Sequence, residues 1–224
     1  MSKLNEADNV ATLSFDTTDD LPFVYKAGQY VDVQLTHITG RSKSYTISSA
    51  PFEKLLSLTV KRKGVYSSAL LDLHIGNSIT VDGPYGFLYP EVDCGEIVMI
   101  ASGIGITPFY SIIKDRLKLR KMSKLTLFYS NKTVGSTVYL NELNDLATNN
   151  TQLKVIFTLT RSDTKHGLIP EYTRIDMTML KKYLTSFDNK CYYICGSIQF
   201  VNDTWKLLKE SGVSESNIFT ESFF

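Results

Sequence analysis

The sequence predicts a two-domain chain, an antiparallel β-barrel followed by an α/β domain with a doubly wound parallel sheet. Three observations predict it. Up to about residue 93 the apolar residues alternate with polar ones in short runs separated by turn signals. Beyond residue 94 nearly continuous apolar runs alternate with helical patterns. The charge also changes sign: residues 1–93 hold 8 basic and 11 acidic side chains, net −3, and residues 94–224 hold 16 and 12, net +4. The expected division is therefore 1–93 and 94–224.

In the first part, Val31-Asp32-Val33-Gln34-Leu35 and Leu56-Ser57-Leu58-Thr59-Val60-Lys61 alternate as half-buried strands do, and Ser78-Ile79-Thr80-Val81 follows Gly76-Asn77. Lys26-Ala27-Gly28 and Thr39-Gly40 mark turns between them. Closely spaced strands of this kind fit a barrel. Leu70, Leu71 and Leu73 give residues 67–73 an apolar side and predict one helix. In the second part, Glu96-Ile97-Val98-Met99-Ile100-Ala101 and the runs 125–129, 155–159 and 191–195 suit strands buried on both faces. Helical patterns occupy 109–119, 139–147, 177–184 and 200–209. Strand and helix in strict alternation imply right-handed crossovers and a parallel sheet.

Composition narrows the function classes. Of 224 residues, 43% are hydrophobic and 21% charged, as in ordinary globular proteins. A formal charge of +1 removes the strong positive field of a general nucleic-acid binder. No apolar run approaches the ~18 residues of a membrane span, and Met1-Ser2-Lys3-Leu4-Asn5 lacks a signal-peptide stretch, so a cytoplasmic protein is expected. Cys94, Cys191 and Cys195 are too few for a four-thiolate zinc or iron-sulfur site, and their odd number argues against a disulfide framework. His37, His74 and His166 have no ligand spacing, and no built-in metal centre is expected.

Chemistry concentrates in a few segments. Ile100-Ala101-Ser102-Gly103-Ile104-Gly105-Ile106-Thr107-Pro108 joins a buried strand to a helix. Gly103 and Gly105 let the backbone approach a pyrophosphate, Thr107 can cap the helix, Pro108 suits its first turn, and the helix dipole attracts anions. A tight turn without ligand is the plain alternative. Pro108 stands where the usual dinucleotide fingerprint has a third small residue, and no Walker lysine or elbow serine is present.

In the barrel, Arg41-Ser42-Lys43-Ser44-Tyr45-Thr46 sets cations ahead of an aromatic and hydroxyls. These types could pair with a phosphate, stack on a flat ring and hydrogen-bond its edge; they equally suit a polar strand leading to a proline turn. Val60-Lys61-Arg62-Lys63-Gly64-Val65-Tyr66-Ser67 brings three basic residues and a glycine to a helix start, which reads as an anion cradle or as a solvated edge. Residues 114–124 hold six cations and one acid, either a wet helix face or a dock for an acidic carrier.

These segments in this order, with Gly83-Pro84-Tyr85-Gly86-Phe87 between the halves and Cys195-Gly196-Ser197 near the end, resemble the ferredoxin NADP reductase superfamily over essentially the whole chain. The resemblance implies an FAD-binding barrel and a nicotinamide-nucleotide domain with the flavin between them. It implies that Lys43, Ser44, Tyr45 and Thr46 line the flavin, with Tyr45 stacked on it and Thr46 reaching its N5. Val60, Lys61 and Lys63, with Gly64, Val65, Tyr66 and Ser67, would hold the FAD pyrophosphate. Gly103, Gly105, Ile106, Thr107 and Pro108 would face the nicotinamide nucleotide's pyrophosphate. Cys195, followed by Gly196 and Ser197, would lie near nicotinamide C4, where the cysteine need not be a nucleophile. Glu221 would relay a proton, and Phe223 or Phe224 would cover the flavin ring.

Ser130, Asn131, Lys132 and Arg161 supply cations and hydroxyls that favour the 2′-phosphate of NADPH, while Asp163 keeps NADH open. The chain departs from the family at Lys43, where an arginine is usual and Arg41 could compensate, and at Ser197 in place of a frequent proline. It also opens at what resembles the end of the first barrel strand, leaving the barrel open at one edge. The activity implied is transfer of electrons from NAD(P)H through FAD to a separate acceptor, such as a ferredoxin or flavodoxin-like carrier or a small molecule. A reductase subunit of an oxygenase or dehydrogenase complex and a non-catalytic nucleotide-binding module are the alternatives.

Overall fold

The computed structural model describes residues 1–16, 23–35, 42–91, 94–120, 123–161 and 165–223. The chain forms two compact units: Met1–Tyr89 together with Thr107–Leu119, and Pro90–Ile106 together with Arg120–Phe224.

The first unit carries six strands: β1 (Ser2–Ala7), β2 (Val10–Phe15), β3 (Tyr30–Gln34), β4 (Ser42–Thr46), β5 (Leu56–Lys61) and β6 (Thr80–Tyr85). They pair antiparallel as two three-stranded sheets, β1-β2-β5 and β4-β3-β6, with a single bridge between Ile47 and Leu58 linking them. Leu13, Val31, Val33, Ile47 and Leu58 are fully buried and close a common core, with Leu70 and Leu71 of helix α1 (Val65–Leu71). The expectation of a missing first strand is corrected here. Alternating burial along Val10-Ala11-Thr12-Leu13-Ser14-Phe15 makes β2 a sheet strand, and β1 folds back on it as a hairpin. The last strand lies at 80–85 rather than 78–81. The expected turn at Thr39-Gly40 and the candidate Arg41 lie outside the described residues.

Helix α2 (Thr107–Lys118) groups with this first unit, although the expected cut after residue 93 assigns it to the second. The cause is packing. Ser111 Oγ donates to the Ser49 carbonyl at 2.5 Å, Lys114 pairs with Glu53, and Ile112 closes on Gly28. At Gly28, φ is +105° and an added Cβ would run into the Leu88 carbonyl, so only glycine fits.

The second unit is a five-stranded parallel sheet of β7 (Glu96–Ser102), β8 (Lys124–Asn131), β9 (Leu153–Leu159), β10 (Lys190–Ser197) and β11 (Ile218–Phe223), in the order β11-β10-β7-β8-β9. Helices α3 (Leu140–Asn149), α4 (Met177–Tyr183) and α5 (Ile198–Glu210) accompany it. β11 escapes the periodicity reading because Ile218-Phe219-Thr220-Glu221-Ser222-Phe223 is half-buried except at exposed Thr220 and polar at its middle. On one sheet face Val98, Ile100, Phe128, Ile156, Tyr192 and Ile194 pack with Met179 and Leu180 of α4 and Val201 and Leu208 of α5. No helix among the described residues is long and apolar enough to cross a membrane.

At the amino ends of β7 and β10, Lys190 pairs with Glu96, and Thr126 Oγ1 donates to the same carboxylate at 2.6 Å. Next to this pair, Cys94 and Cys191 form a disulfide, Cα atoms 5.9 Å apart. This corrects the expectation drawn from the odd cysteine count: the two are 97 residues apart in sequence, but register places Cys191 opposite Ile97 on the neighbouring strand. Cys195 is the free, buried thiol.

A disulfide typically stabilises by about 2–4 kcal/mol. Cys94→Ser is therefore expected to lose roughly that amount in denaturant titration without reductant and nothing beyond the wild type in dithiothreitol, while thiol titration of the unreduced, unfolded wild type finds one reactive cysteine.

Candidate functional site

In the first unit, β4 carries the expected flavin-facing residues. Strand alternation sets Lys43 and Tyr45 on one face and Ser44 and Thr46 on the other. Tyr45 is half-buried against the barrel core, and burial, with Tyr66 nearby, pushes its hydroxyl up to about 12. Thr46 is buried, and its Oγ1 has no hydrogen-bond partner. A buried hydroxyl left unpaired costs about 1–3 kcal/mol, so such atoms mark places where a partner belongs. Ser44 turns outward and donates to Asp32 Oδ1 at 2.6 Å, and Lys43 is exposed. Lys43 and Tyr45 are brought together; Ser44 and Thr46 are separated from them by the pleat.

The segment 60–67 divides by role. Val60 is buried in the core, so only its backbone is available. Lys61 and Lys63 are exposed, and Arg62 is spent on Asp72, in contact at 2.6 Å. Ser67 Oγ accepts from the Lys63 and Gly64 amides at 2.9 and 3.0 Å and donates to the Gly64 carbonyl, closing the turn before α1. Nothing lies within 4 Å of a Cβ built on Gly64, and Val65 is 84% exposed, so the turn faces open space. Tyr66 points away: its hydroxyl donates to the Val33 carbonyl at 2.6 Å and accepts from the Leu35 amide at 3.1 Å, bracing the end of β3.

In the second unit the strand order reverses between β7 and β10, which leaves a crevice at their carboxyl ends where open α/β sheets bind ligands. The expected residues converge there. Gly103, Ile104, Gly105 and Ile106 form a 3₁₀ turn directly after β7 and before Thr107 and Pro108, the buried opening residues of α2. Gly105 is obligatory by contact, because a Cβ would strike the Cys195 carbonyl and the Gly196 amide. Gly196 is equally constrained by Ser102 and Phe200. Ser197 caps α5, its Oγ accepting from the Phe200 amide at 3.4 Å. Gly103 is different: φ is +54° and nothing lies within 4 Å of a built Cβ.

Cys195 of β10 stands in register with Glu221 of β11, and Ser197 with Phe223. Burial pushes the Cys195 thiol up, and the neighbouring Glu221 adds to the effect. Glu221 Oε1 is buried without a partner, and burial raises its carboxyl to about 7. Phe223 is half-buried, while Phe224 lies outside the described residues.

At the tips of β8 and β9 the two polar segments meet. The Thr160 amide donates to the Asn131 carbonyl and the Arg161 amide to that of Lys132, both at 2.9 Å. Ser130 at the end of β8 and Lys132 and Arg161 just past the ends of β8 and β9 are thus brought to one sheet edge, beside buried Asn131, whose Nδ2 lacks a partner. Asp163 lies outside the described residues. Sequence reasoning missed Tyr129, whose hydroxyl donates to the Gly103 carbonyl at 3.0 Å; inside an apolar run it reads only as core.

The basic run 114–124 is not one charged face. Lys114 pairs with Glu53 over the Tyr110 ring, Arg116 is 7% exposed, and Lys118 lies over Phe52 at 5.6 Å. Arg120 and Lys124 are exposed, and Lys121 lies outside the described residues.

Comparison with known proteins fits this geometry. Residues 1–89 match an oxidoreductase FAD-binding domain and residues 99–206 an oxidoreductase NAD-binding domain. The chain is 28% identical to a flavohemoprotein of Bacillus subtilis over 99% of its own length and 57% of that protein's. It is 25% identical to the glycine betaine monooxygenase reductase subunit of Chromohalobacter salexigens over 98% of its length and 62% of the relative's. The chain thus spans little more than half of these curated relatives. Its fold superposes on the flavohem-like FAD/NAD-binding domain of nitric oxide dioxygenase from Vibrio cholerae with a TM-score of 0.88 at 21% identity, covering 99% of this chain and 95% of that one. For a ferredoxin NADP+ reductase from Neisseria gonorrhoeae the TM-score is 0.81 at 22% identity, with 96% and 93% covered. The chain thus consists of an oxidoreductase FAD-binding domain followed by an oxidoreductase NAD-binding domain, on the fold shared with these reductase structures.

Proposed function

We propose that the chain is an FAD-dependent NAD(P)H oxidoreductase that takes hydride from NAD(P)H and passes electrons to a separate acceptor. One observation carries this reading: each of the two units keeps a buried polar atom without a partner, Thr46 Oγ1 in the first and Glu221 Oε1 in the second. Each of these atoms is a place where a polar ligand group belongs, so the residues of each unit fit the cofactors that the family implies. FAD, when bound, supplies the two-electron chemistry that no side chain can.

The chain's own residues then have defined tasks. Tyr45 offers a half-buried ring for stacking, and the Thr46 hydroxyl offers a hydrogen bond to the ring edge. Lys43, Lys61 and Lys63 supply positive charge, with the open Gly64 turn and the residues Val65 to Ser67 following it. The Gly103 turn, with Gly105 and Ile106, receives the nicotinamide nucleotide's diphosphate, and Thr107 and Pro108 continue the chain from it into α2. Cys195, Gly196 and Ser197 shape the floor of the crevice. A thiol whose ionisation burial suppresses is an apolar wall here, not a nucleophile. Glu221, poised near neutrality, can hold or release a proton, and Phe223 supplies an aromatic side chain two residues further along β11. Lys132 and Arg161 with Ser130 support a preference for NADPH over NADH, since a 2′-phosphate calls for cations and hydroxyls.

Relatives named as a monooxygenase reductase subunit and as a component of a Na+-translocating NADH-quinone reductase favour a second reading, an electron-transfer subunit within a larger complex. On either reading the acceptor is a redox protein or a small oxidant, and the cytoplasm, which supplies NAD(P)H, is the proposed location; there the Cys94–Cys191 pair is expected in its reduced, dithiol form.

The deciding experiment is the visible spectrum of the protein loaded with FAD, before and after anaerobic NADPH or NADH. Bleaching by either is expected, faster with NADPH; a flavin that neither nucleotide reduces leaves only a nucleotide-binding module. Tyr45→Ala is expected to lose most of its FAD on dialysis, read as flavin absorbance per protein, whereas unchanged content would remove Tyr45 from the flavin face.

For Glu221 the folded carboxyl binds its proton more tightly than the unfolded one. Stability therefore falls as pH rises from the ordinary carboxylate value of about 4.5 through about 7. Glu221→Gln is expected to flatten this decline in denaturant titrations from pH 4.5 to 8; an unaltered pH dependence would show that Glu221 is not the titrating group.

A further inference from the structure

Cys94 and Cys191 lie at the amino ends of β7 and β10, away from the crevice at the carboxyl ends, and the fold brings them together by means other than their sulfur atoms. Glu96 stands in register with Lys190, and Ile97 with Cys191. The Lys190 ammonium pairs with the Glu96 carboxylate, which also accepts from Thr126 of β8. One residue earlier, the Gly95 carbonyl accepts from the Lys124 amide at 3.2 Å. Asn189, whose φ is +54° directly before β10, lies so close to Gly95 that a Cβ there would strike its side-chain amide. Strand pairing, one ion pair and this close approach thus hold the neighbours of both cysteines. The two Cα atoms come within 5.9 Å, inside the range that a disulfide spans. None of the holding contacts uses sulfur, so the same backbone serves the dithiol and the disulfide.

The two sulfur atoms differ in access. Cys94 is half-buried, whereas Cys191 is only 3% exposed. A dissolved reagent can reach the first, and the second is left to its neighbour. That is the division between an attacking and a resolving thiol. The third cysteine does not compete: Cys195 is fully buried and stands four residues further along β10, about 13 Å away at the rise of a strand.

We infer that Cys94 and Cys191 form a site of reversible oxidation, a dithiol that disulfide oxidants of the glutathione class close and thiol reductants reopen. The Cys94 thiolate attacks one sulfur of oxidised glutathione; that S–S bond breaks, and one glutathione leaves and takes up the proton that Cys94 gave. Cys191, deprotonated in turn, attacks the Cys94 sulfur of the mixed disulfide, and the second glutathione leaves with its proton. The two cysteines lose two electrons and two protons, and the oxidant gains both. Because the second step is intramolecular between positioned groups, the mixed disulfide is short-lived. The site goes beyond the flavin reading and needs neither FAD nor a nicotinamide nucleotide. In a reducing compartment it rests as the dithiol and registers the arrival of an oxidant.

The test equilibrates the full FAD-loaded chain, reduced beforehand and freed of reductant, in anaerobic buffers of reduced and oxidised glutathione. Samples are quenched in acid, alkylated after unfolding and weighed by intact-mass spectrometry. Alkylated cysteines are expected to fall from three to one as the oxidised form of glutathione increases, with Cys195 remaining. The midpoint is expected to follow the square of the reduced glutathione concentration, as an intramolecular disulfide requires, and dithiothreitol is expected to restore three without unfolding. Cys191→Ser is expected to stop at one glutathione on Cys94, and folded Cys94→Ser to take up none.

A wild type that keeps three free thiols in a large excess of oxidised glutathione overturns the inference, as does a disulfide that dithiothreitol opens only after unfolding. A lasting glutathione adduct on wild-type Cys94 in place of the closed pair overturns it too. Equal modification of the two serine variants removes Cys94 as the attacking thiol. The wild-type measurements need no substitution, so they decide the matter even where a serine variant does not fold.

Discussion

Everything at the second unit's crevice depends on one close approach, the contact of the Gly105 backbone with the carbonyl end of β10. β7 and β10 lie side by side, and the chain leaves them in opposite directions, one toward β8 and the other toward β11. The turn after β7 can lie this close to the end of β10 only because Gly105 carries no Cβ, while Gly196 leaves room for the side chains of Ser102 and Phe200. The spacing fixes where the 3₁₀ turn sits, and with it the alignment of Cys195, Gly196 and Ser197 along the same edge. Gly103, which faces open space, is then available for a different purpose.

The two ends of this sheet have been given different work. At the amino ends of β7 and β10, a buried ion pair and a disulfide fasten the strands, with the Lys190 charge matched by Glu96 and that carboxylate further bonded by Thr126. Every polar group named there is satisfied. At the carboxyl ends, Asn131 Nδ2 and Glu221 Oε1 are buried and unpaired. A polar group unpaired in the interior is a local cost that a bound partner can remove, and the asymmetry between the ends follows the rule that open parallel sheets bind at their carboxyl edge.

The first unit solves a different problem. Its strands must bury one face and leave another wet, and alternation along β4 does this by sending Tyr45 and Ser44 to opposite sides. The core needs only apolar volume from Leu13, Val31, Leu58 and Leu70, so the residues that fit a cofactor are free to vary in charge and size around it. Replacing a forked guanidinium by the ammonium of Lys43 is one such variation, and it touches no packing.

The sequence alone was enough for the class of both units, the parallel sheet with its strand-turn-helix opening, and the segments where chemistry concentrates. These are written locally, as periods of two and of 3.6, apolar runs, and glycines at fixed offsets. It could not reveal what depends on residues distant in sequence and adjacent in space. The pairing of Cys94 with Cys191 needs the register of two strands 97 residues apart, and the Gly103 anchor at Tyr129 needs neighbouring strands, so a hydroxyl inside an apolar run reads as core. The apparent basic face of 114–124 dissolved for the same reason: Glu53 and Phe52, far away in the chain, take up Lys114 and Lys118. β2 reads as strand only once β5 lies beside it, and β11 only beside β10. Local pattern chooses the kind of element; long-range pairing decides which polar groups are spent on the fold and which are left for a ligand.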